Sequence, residues 1–217
     1  MSRNDGPPRI QAERSRARRE QILDAAFHAF ARRGYRDTVM DDIATAAETS
    51  KGGIYFHFPT KEAIFRELVR TTADRLAAKV ERAVAEQADP IGRADAALRT
   101  VLLTFAGHRP MARLLFVDVM AAGRVFSDET SALHDRFARM IAGYLDEAVQ
   151  AGVIPPVDTG LTGVAWFGAL NEVVARWLLM DDAPPLEAAY PTLRALLLRS
   201  VSVDEARIAG ATAAPGA

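Results

Sequence analysis

Apolar residues recur along most of this chain at the three- and four-residue spacing of helices that bury one face. The spacing predicts a first helix over about residues 11–33, which Gly34 ends, and a long fourth helix over about residues 61–87. Two short helices lie between them, on either side of a turn near Glu48. No segment alternates polar and apolar residues over a useful length, so the sequence predicts an all-α protein.

Proline, glycine and capping residues divide the rest of the chain into five more helices, which makes about nine in total. In the ninth, Pro191 predicts either a kink or a later start at that residue. The five helices are predicted over about residues 90–106, 110–123, 128–151, 158–180 and 186–201.

The short helices lie in residues 38–61, TVMDDIATAAETSKGGIYFHFPTK. Thr38 is placed to cap the first of them, and Ser50 or Thr49 to cap the second. Two helices joined by a tight turn, with small and hydroxylated residues at the front of the second, are typical of a helix-turn-helix that places its second helix in a DNA major groove.

The run IATAAETSKGGIYFHFPTKEAIF resembles the DNA-binding signature of the TetR (tetracycline-repressor-type) family, and the pattern extends over about residues 18–68. The match is strong in S-K-G-x-I-Y-x-H-F followed by x-x-K-E. The chain departs from the family at Gly53, where a larger residue is common, and at Glu48, where the family usually has glycine. Glutamate in that turn implies either backbone strain of roughly 1 kcal/mol or a turn of different shape.

The resemblance implies a set of DNA contacts at the second short helix. Lys51 would donate to a guanine edge or a phosphate, and Gly52 would let the backbone approach the bases. Tyr55 is also suited to half-buried packing, while Phe56 and Phe58 are expected to pack within the helix-turn-helix region. The residues expected at the DNA are Thr38, Thr49, Ser50, Lys51, Gly52, Gly53, Tyr55, His57 and Lys61.

The eighth predicted helix carries apolar residues around its whole circumference, which requires cover on every side. The resemblance implies that the last two helices form a four-helix bundle with those of a second copy, although they could also complete the core of a monomer. The residues expected at the homodimer interface are Leu161, Trp166, Leu170, Val173, Trp177, Leu193 and Leu197.

The resemblance also implies a pocket for a small-molecule effector, which here would be mainly apolar or aromatic. Glu172 and Arg176 are spaced to pair with each other, so they are not expected to contact the effector. The candidate lining residues, each of which is also suited to core packing, are Phe105, His108, Arg109, Phe116, Met120, Tyr144, Trp166, Phe167 and Asn171.

Composition and charge limit the kinds of site and partner that the protein can have. The 217 residues include no cysteine, which excludes disulfides and cysteine zinc sites, and the longest apolar stretch, residues 160–170, is too short to span a membrane. Residues 1–66 contain 12 Lys and Arg against 9 Asp and Glu, and the remainder is acidic. The N-terminal basic cluster suits either phosphate contacts or a solvated helix start; it comprises Arg9, Arg14, Arg16, Arg18 and Arg19.

We therefore predict a cytoplasmic, homodimeric, ligand-responsive repressor that binds a palindromic DNA operator, with no cofactor, metal or membrane partner. The predicted parts are a disordered lead-in (1–10), a DNA-binding domain (11–60), a ligand-binding and dimerisation domain (61–203) and a flexible tail (204–217). A constitutive or architectural DNA-binding protein and an activator are the alternatives. A helical enzyme is a further alternative, although the common catalytic motifs are absent from the sequence and the four histidines are scattered along it.

Overall fold

A computed structural model describes residues 8–119 and 126–203, which form helices and no strand. This confirms the all-α prediction. The expectations for the tail, for Met120 and for most of the lead-in lie outside the described residues. In those residues the α-helices are α1 (Pro8–Asp37), α2 (Met40–Ala46), α3 (Lys51–His57), α4 (Lys61–Ala85), α5 (Pro90–Gly107), α6 (Arg109–Arg113), α7 (Ser127–Gln150), α8 (Thr159–Leu179) and α9 (Tyr190–Ser200).

Three helix ends refine the predicted boundaries. Helix α1 begins at Pro8, so the last residues of the expected lead-in are helical, and its regular geometry breaks at Gly34, where φ is 77°. Helix α6 continues as a π-helical stretch, Leu114–Asp118. Helix α9 begins at Tyr190 after a short 3-10 turn, which places Pro191 in its first turn, where a missing amide hydrogen is harmless. The ninth helix therefore starts late and is not kinked.

The chain divides into two compact units, Met1–Thr71 and Thr72–Ala217, and the continuous helix α4 runs from one into the other. The domain boundary predicted at residues 60 and 61 falls at the start of this helix. Among the described residues, no helix is both long enough and apolar enough to cross a membrane.

The N-terminal unit is held by a small aromatic and aliphatic core. Phe30 and Phe65 are fully buried and meet edge to face, with 5.4 Å between their ring centroids. Ile43 of α2, Ile54 of α3 and Phe58 are also fully buried. The expected core position of Phe58 is thus confirmed, and α2 and α3 are each anchored to the unit by one isoleucine.

In the C-terminal unit, α7 and α8 approach each other closely at Gly163. A Cβ atom at this glycine would lie 2.6 Å from the carbonyl oxygen of Ala138 and 3.1 Å from the amide nitrogen of Ala142. Only glycine allows the two backbones to pack at this distance. The absence of a side chain at Gly163 therefore sets the separation of the two helices.

Candidate nucleic-acid interface and effector cavity

Helix α3 begins with a capping bond of the predicted kind. The Oγ of Ser50 accepts a hydrogen bond from the amide of Gly53 at 3.1 Å. A Cβ atom at Gly53 would lie 2.5 Å from the Oγ1 of Thr49, so a larger residue at this position would require the Thr49 side chain to move.

Thr38 does not cap α2, and the predicted role of its hydroxyl at a phosphate is wrong. The N-cap of α2 is Val39, which makes no side-chain capping bond. Thr38 is fully buried, and its Oγ1 donates to the carbonyl oxygen of Gly34 at 2.8 Å. Its hydroxyl therefore ties the end of α1 to the next segment and does not reach solvent.

Lys61 also has a structural role, and the phosphate contact predicted for it stays a prediction. Its Nζ donates to the carbonyl oxygens of Tyr35, Arg36 and Thr38 at 2.8, 3.2 and 2.8 Å. It also lies 4.5 Å from the centre of the Tyr35 ring. An ammonium group has three N–H donors, and all three are used here on the last residues of α1 and the residue that follows it.

We expect Lys61→Met to lower the free energy of unfolding by about 1–3 kcal/mol, because it leaves these carbonyl groups without their charged donor. Urea unfolding of the full chain measures the change. The matched control is Lys51→Met, which removes an exposed lysine of α3 and should change stability by less than about 0.5 kcal/mol. Equal stabilities of the two variants would contradict the structural role of Lys61.

The turn between α2 and α3 is left-handed at Glu48. The φ angle of this residue is 49°, a backbone conformation that residues other than glycine, asparagine and aspartate rarely adopt. Of the two expectations for Glu48, the strained left-handed turn is the one observed.

Glu48→Gly should therefore raise the free energy of unfolding by up to about 1.5 kcal/mol. Relief of left-handed strain contributes about 1–2 kcal/mol, from which the greater backbone entropy of an unfolded glycine subtracts about 0.5–1 kcal/mol. Thermal unfolding checks the change. Glu48→Ala, which removes the carboxylate but retains the strain, should show no such gain, and a gain shared by both variants would assign the effect to the carboxylate.

The exposed surface of α3 presents one charge, two glycines and two aromatic rings. Lys51 is exposed and its Nζ lies 3.2 Å from Oδ2 of Asp41, while nothing lies within 4 Å of the position where Gly52 would carry a Cβ atom. Tyr55 is exposed, and 81% of Phe56 is exposed. The expectation that Phe56 packs within the helix-turn-helix region is wrong.

Arg19 supports the end of α3 from within the N-terminal unit. Its Nη1 donates to the carbonyl oxygen of His57 at 3.0 Å, and its guanidinium lies 4.2 Å from the centre of the Phe58 ring. Burial and the positive charges of Arg19 and Arg18 lower the pKa of His57. The imidazole is therefore neutral at neutral pH, and one ring nitrogen remains a donor.

The C-terminal unit encloses an apolar cavity that offers about 100 Å³ to the centre of a water-sized sphere. Its walls come from α4, α5, α7, α8, α9 and the π-helical stretch after α6. Five of the predicted lining residues contribute to it, namely Phe105, Phe116, Tyr144, Trp166 and Phe167. His108, Arg109 and Asn171 do not line this cavity.

Arg109 and His108 both lie away from the cavity lining. The Nη2 of Arg109 donates to the carbonyl oxygens of Trp177, Leu178 and Met180 at 3.0–3.1 Å, which caps the C-terminal end of α8. Its guanidinium lies 4.5 Å from the centre of the Trp177 ring. His108 is exposed in the break between α5 and α6.

A buried polar cluster, formed by Asp95, Tyr190 and Arg194, was not predicted. Arg194 is only 2% exposed, and its Nε and the hydroxyl of Tyr190 both donate to Oδ1 of Asp95. Burial and the bond to Asp95 raise the pKa of Tyr190 to about 12. Asp95 and Arg194 line the cavity. The sequence does contain a signal for the burial of Arg194, because its helical spacing with Leu197 and Leu198 places it on the apolar side of α9.

Four of the residues predicted at a homodimer interface are buried within the protomer instead. These are Trp166, Leu170, Leu193 and Leu197. The Nε1 of Trp166 donates to Oγ of Ser200 at 3.0 Å, which fixes α8 to α9. Val173 and Trp177 are half-buried, and the Nε1 of Trp177 donates to the carbonyl oxygen of Pro184 at 3.0 Å.

A different set of apolar residues is exposed on the last two helices. Leu161 is 67% exposed, and Val164 of α8 and Leu196 of α9 are each more than half exposed. We name these three residues the outer apolar face. Farther along α8, Arg176 and Glu172 form the predicted pair, with Nε and Oε1 at 2.5 Å.

Comparison with known proteins matches both units to one family. Residues 22–68 match the model for "Bacterial regulatory proteins, tetR family", and residues 87–179 match that for "Tetracyclin repressor-like, C-terminal domain". The HTH-type transcriptional regulator TtgR of Pseudomonas putida is 32% identical over 186 residues, which cover 80% of this chain and 86% of TtgR. The chain belongs to the TetR family. This TetR-family protein is thus a DNA-binding transcriptional regulator, and the family assignment also confirms that it is not an enzyme.

Solved structures share the fold of this TetR-family regulator over nearly its whole length. The fatty acid degradation regulator FadR from Bacillus halodurans has a TM-score of 0.78 at 23% identity and covers 93% of this chain and 100% of its own. FadR from Bacillus subtilis, solved in complex with stearoyl-CoA, has a TM-score of 0.77 at 24% identity and covers 86% of this chain and 99% of its own. At these identities the likeness establishes the shared fold.

Proposed function

We propose that this regulator is a cytoplasmic repressor that binds a palindromic operator as a homodimer and leaves it when a small, mainly apolar ligand binds. The observation that carries the proposal is the apolar cavity in the C-terminal unit, since a protein that only bound DNA would need no such space. Cavities lined mainly by apolar side chains, with a small number of polar groups, are typical of small-molecule sites.

On the DNA, the front of α3 would enter the major groove. Lys51 extends into solvent, and Gly52 exposes its backbone, as base contacts require. Thr49, Ser50 and Gly53 lie at the same end of the helix, where the predicted contacts were placed. Tyr55, His57 and Lys61, with the backbone of Thr38, would contact phosphates and fix the register.

A homodimer would supply the second reading helix. One α3 contacts only a few base pairs, and two such helices about 34 Å apart would read successive major grooves of a palindrome. The outer apolar face (Leu161, Val164 and Leu196) would form the centre of the interface. Exposed leucine and valine on neighbouring helices favour burial against the same face of a second copy.

The cavity favours a ligand with a long or bulky apolar body. Its walls are mostly aliphatic and aromatic, and its polar groups include those of Asp95, Arg194, His134 and Tyr144. Leu76 and Val80 of the walls belong to α4, which follows the helix-turn-helix region in sequence. A ligand that displaces these two side chains would act on α4, which supports the proposed release from DNA. Acyl chains are the ligand class that we propose to test first.

The experiment measures operator binding by fluorescence anisotropy while ligand is added, with stearoyl-CoA and shorter acyl thioesters as the probes. We expect release of the operator by at least one of them, and we expect Ala97→Phe to raise the required concentration about tenfold or more, because the new ring fills space at the cavity wall. Ala96→Phe, one position along α5 and outside the lining, is the matched control.

Operator binding that no acyl or other apolar ligand weakens would support the second candidate, a constitutive repressor. Equal responses of the Ala97 and Ala96 variants would show that the ligand acts outside the cavity. Release of the operator that only the Ala97 variant resists would place the ligand in the cavity.

A further inference from the structure

Phe56 is the most exposed of the large apolar side chains that the structure describes. It lies on α3 with 81% of its surface exposed, and its ring meets the neighbouring ring of His57 edge to face at 5.1 Å. A phenylalanine in this position covers no core and leaves its face open to solvent. The ring is therefore accessible to a partner that approaches α3.

The helical geometry of α3 places this ring on the side that carries no other side chain. Phe56 follows Gly52 by four residues and Gly53 by three, so the three positions share one side of the helix. Ile54, which is fully buried, projects from the opposite side. The outward side of α3 therefore presents the open backbone of Gly52, the Thr49 hydroxyl beside Gly53, and one aromatic ring in its second turn.

The chemistry of the ring limits what it can contact in a DNA groove. Phenylalanine neither donates nor accepts hydrogen bonds, whereas the major-groove edges of the bases present donors and acceptors and one apolar substituent, the C5 methyl group of thymine. We propose that Phe56 reads this methyl group at one thymine in each half-site. The inference rests on the proposed function, in which α3 enters the major groove.

The test uses the operator that the wild-type chain selects and replaces its thymines, one symmetric pair at a time, by deoxyuridine, which lacks only the methyl group. Loss of a buried methyl contact should weaken binding about fourfold for one half-site and about fifteenfold for both. We expect the wild-type chain to show this loss at one thymine position, and Phe56→Ala to bind weakly and equally to thymine and deoxyuridine there.

Phe56→Leu, which keeps an apolar side chain, should retain part of the methyl dependence and is the matched variant. Because Phe56 is exposed, neither substitution should change the unfolding midpoint. The inference is overturned if the alanine variant stays as sensitive to the methyl group as the wild type. It is also overturned if the variant loses affinity while neither the wild type nor the variant depends on the methyl group. Both outcomes leave the proposed function standing. A wild-type chain that selects no common sequence would overturn the proposed function as well.

Discussion

Asp95→Ala is expected to lower the free energy of unfolding by about 3–5 kcal/mol, the largest effect of any single substitution considered for this protein. The carboxylate accepts from both Arg194 and Tyr190, and Arg194 is almost wholly buried. Removal of the carboxylate takes the ion-pair partner away from a charge that is almost wholly buried, which is strongly destabilising. Urea unfolding, followed by circular dichroism, measures the loss.

The matched control is Asp74→Ala, which also removes an aspartate paired with an arginine. The Asp74 and Arg136 side chains are each 43% exposed, so water replaces the lost interaction, and the cost should stay below about 1 kcal/mol. The double variant Asp95→Leu/Arg194→Met removes both charges and should recover part of the stability. Similar losses for Asp95→Ala and Asp74→Ala would contradict the assignment of a stabilising buried pair.

Leu161→Glu combined with Val164→Glu is expected to convert the proposed homodimer into a folded monomer and to lower operator affinity by roughly 100-fold or more. The two charges would lie on the outer apolar face, where burial against a second copy desolvates them. Loss of the second reading helix then removes the gain from simultaneous binding of two half-sites. Analytical ultracentrifugation and operator titration measure the two effects.

Leu103→Glu supplies the control, because Leu103 is a half-exposed leucine of α5 that is not part of the outer apolar face. This variant should remain a dimer with unchanged operator affinity. A double variant at Leu161 and Val164 that stays dimeric and binds the operator normally would place the interface elsewhere. Because both side chains are exposed in the protomer, unfolding is not expected to obscure the result.

The helices and the helix-turn-helix region followed from local signals in the sequence. Ser50 caps α3 as its position before a short helix predicts, and Glu48 adopts the left-handed backbone that the turn requires. The apolar spacing located the core at residues such as Ile54 and Phe58. These features depend on residues close in sequence, which is why the pattern alone predicts them.

The contacts that the sequence did not reveal join segments that are distant along the chain. Lys61 and Arg109 both bind carbonyl oxygens at the end of another helix, which no local pattern reveals. The apolar circumference of α8 showed that the helix needs cover but not which neighbour supplies it. Trp166 and Leu170 are covered within the protomer, whereas Leu161 is left exposed.

The most direct test of the central claim is selection of bound fragments from the source genome by the purified full-length protein, with affinities measured at two salt concentrations. A dimeric sequence reader should select a palindrome whose half-site centres lie about one helical turn, roughly 34 Å, apart, and should retain its preference at the higher salt. Weak binding that salt abolishes, with no sequence common to the fragments, would show attraction to phosphates alone and would contradict the claim.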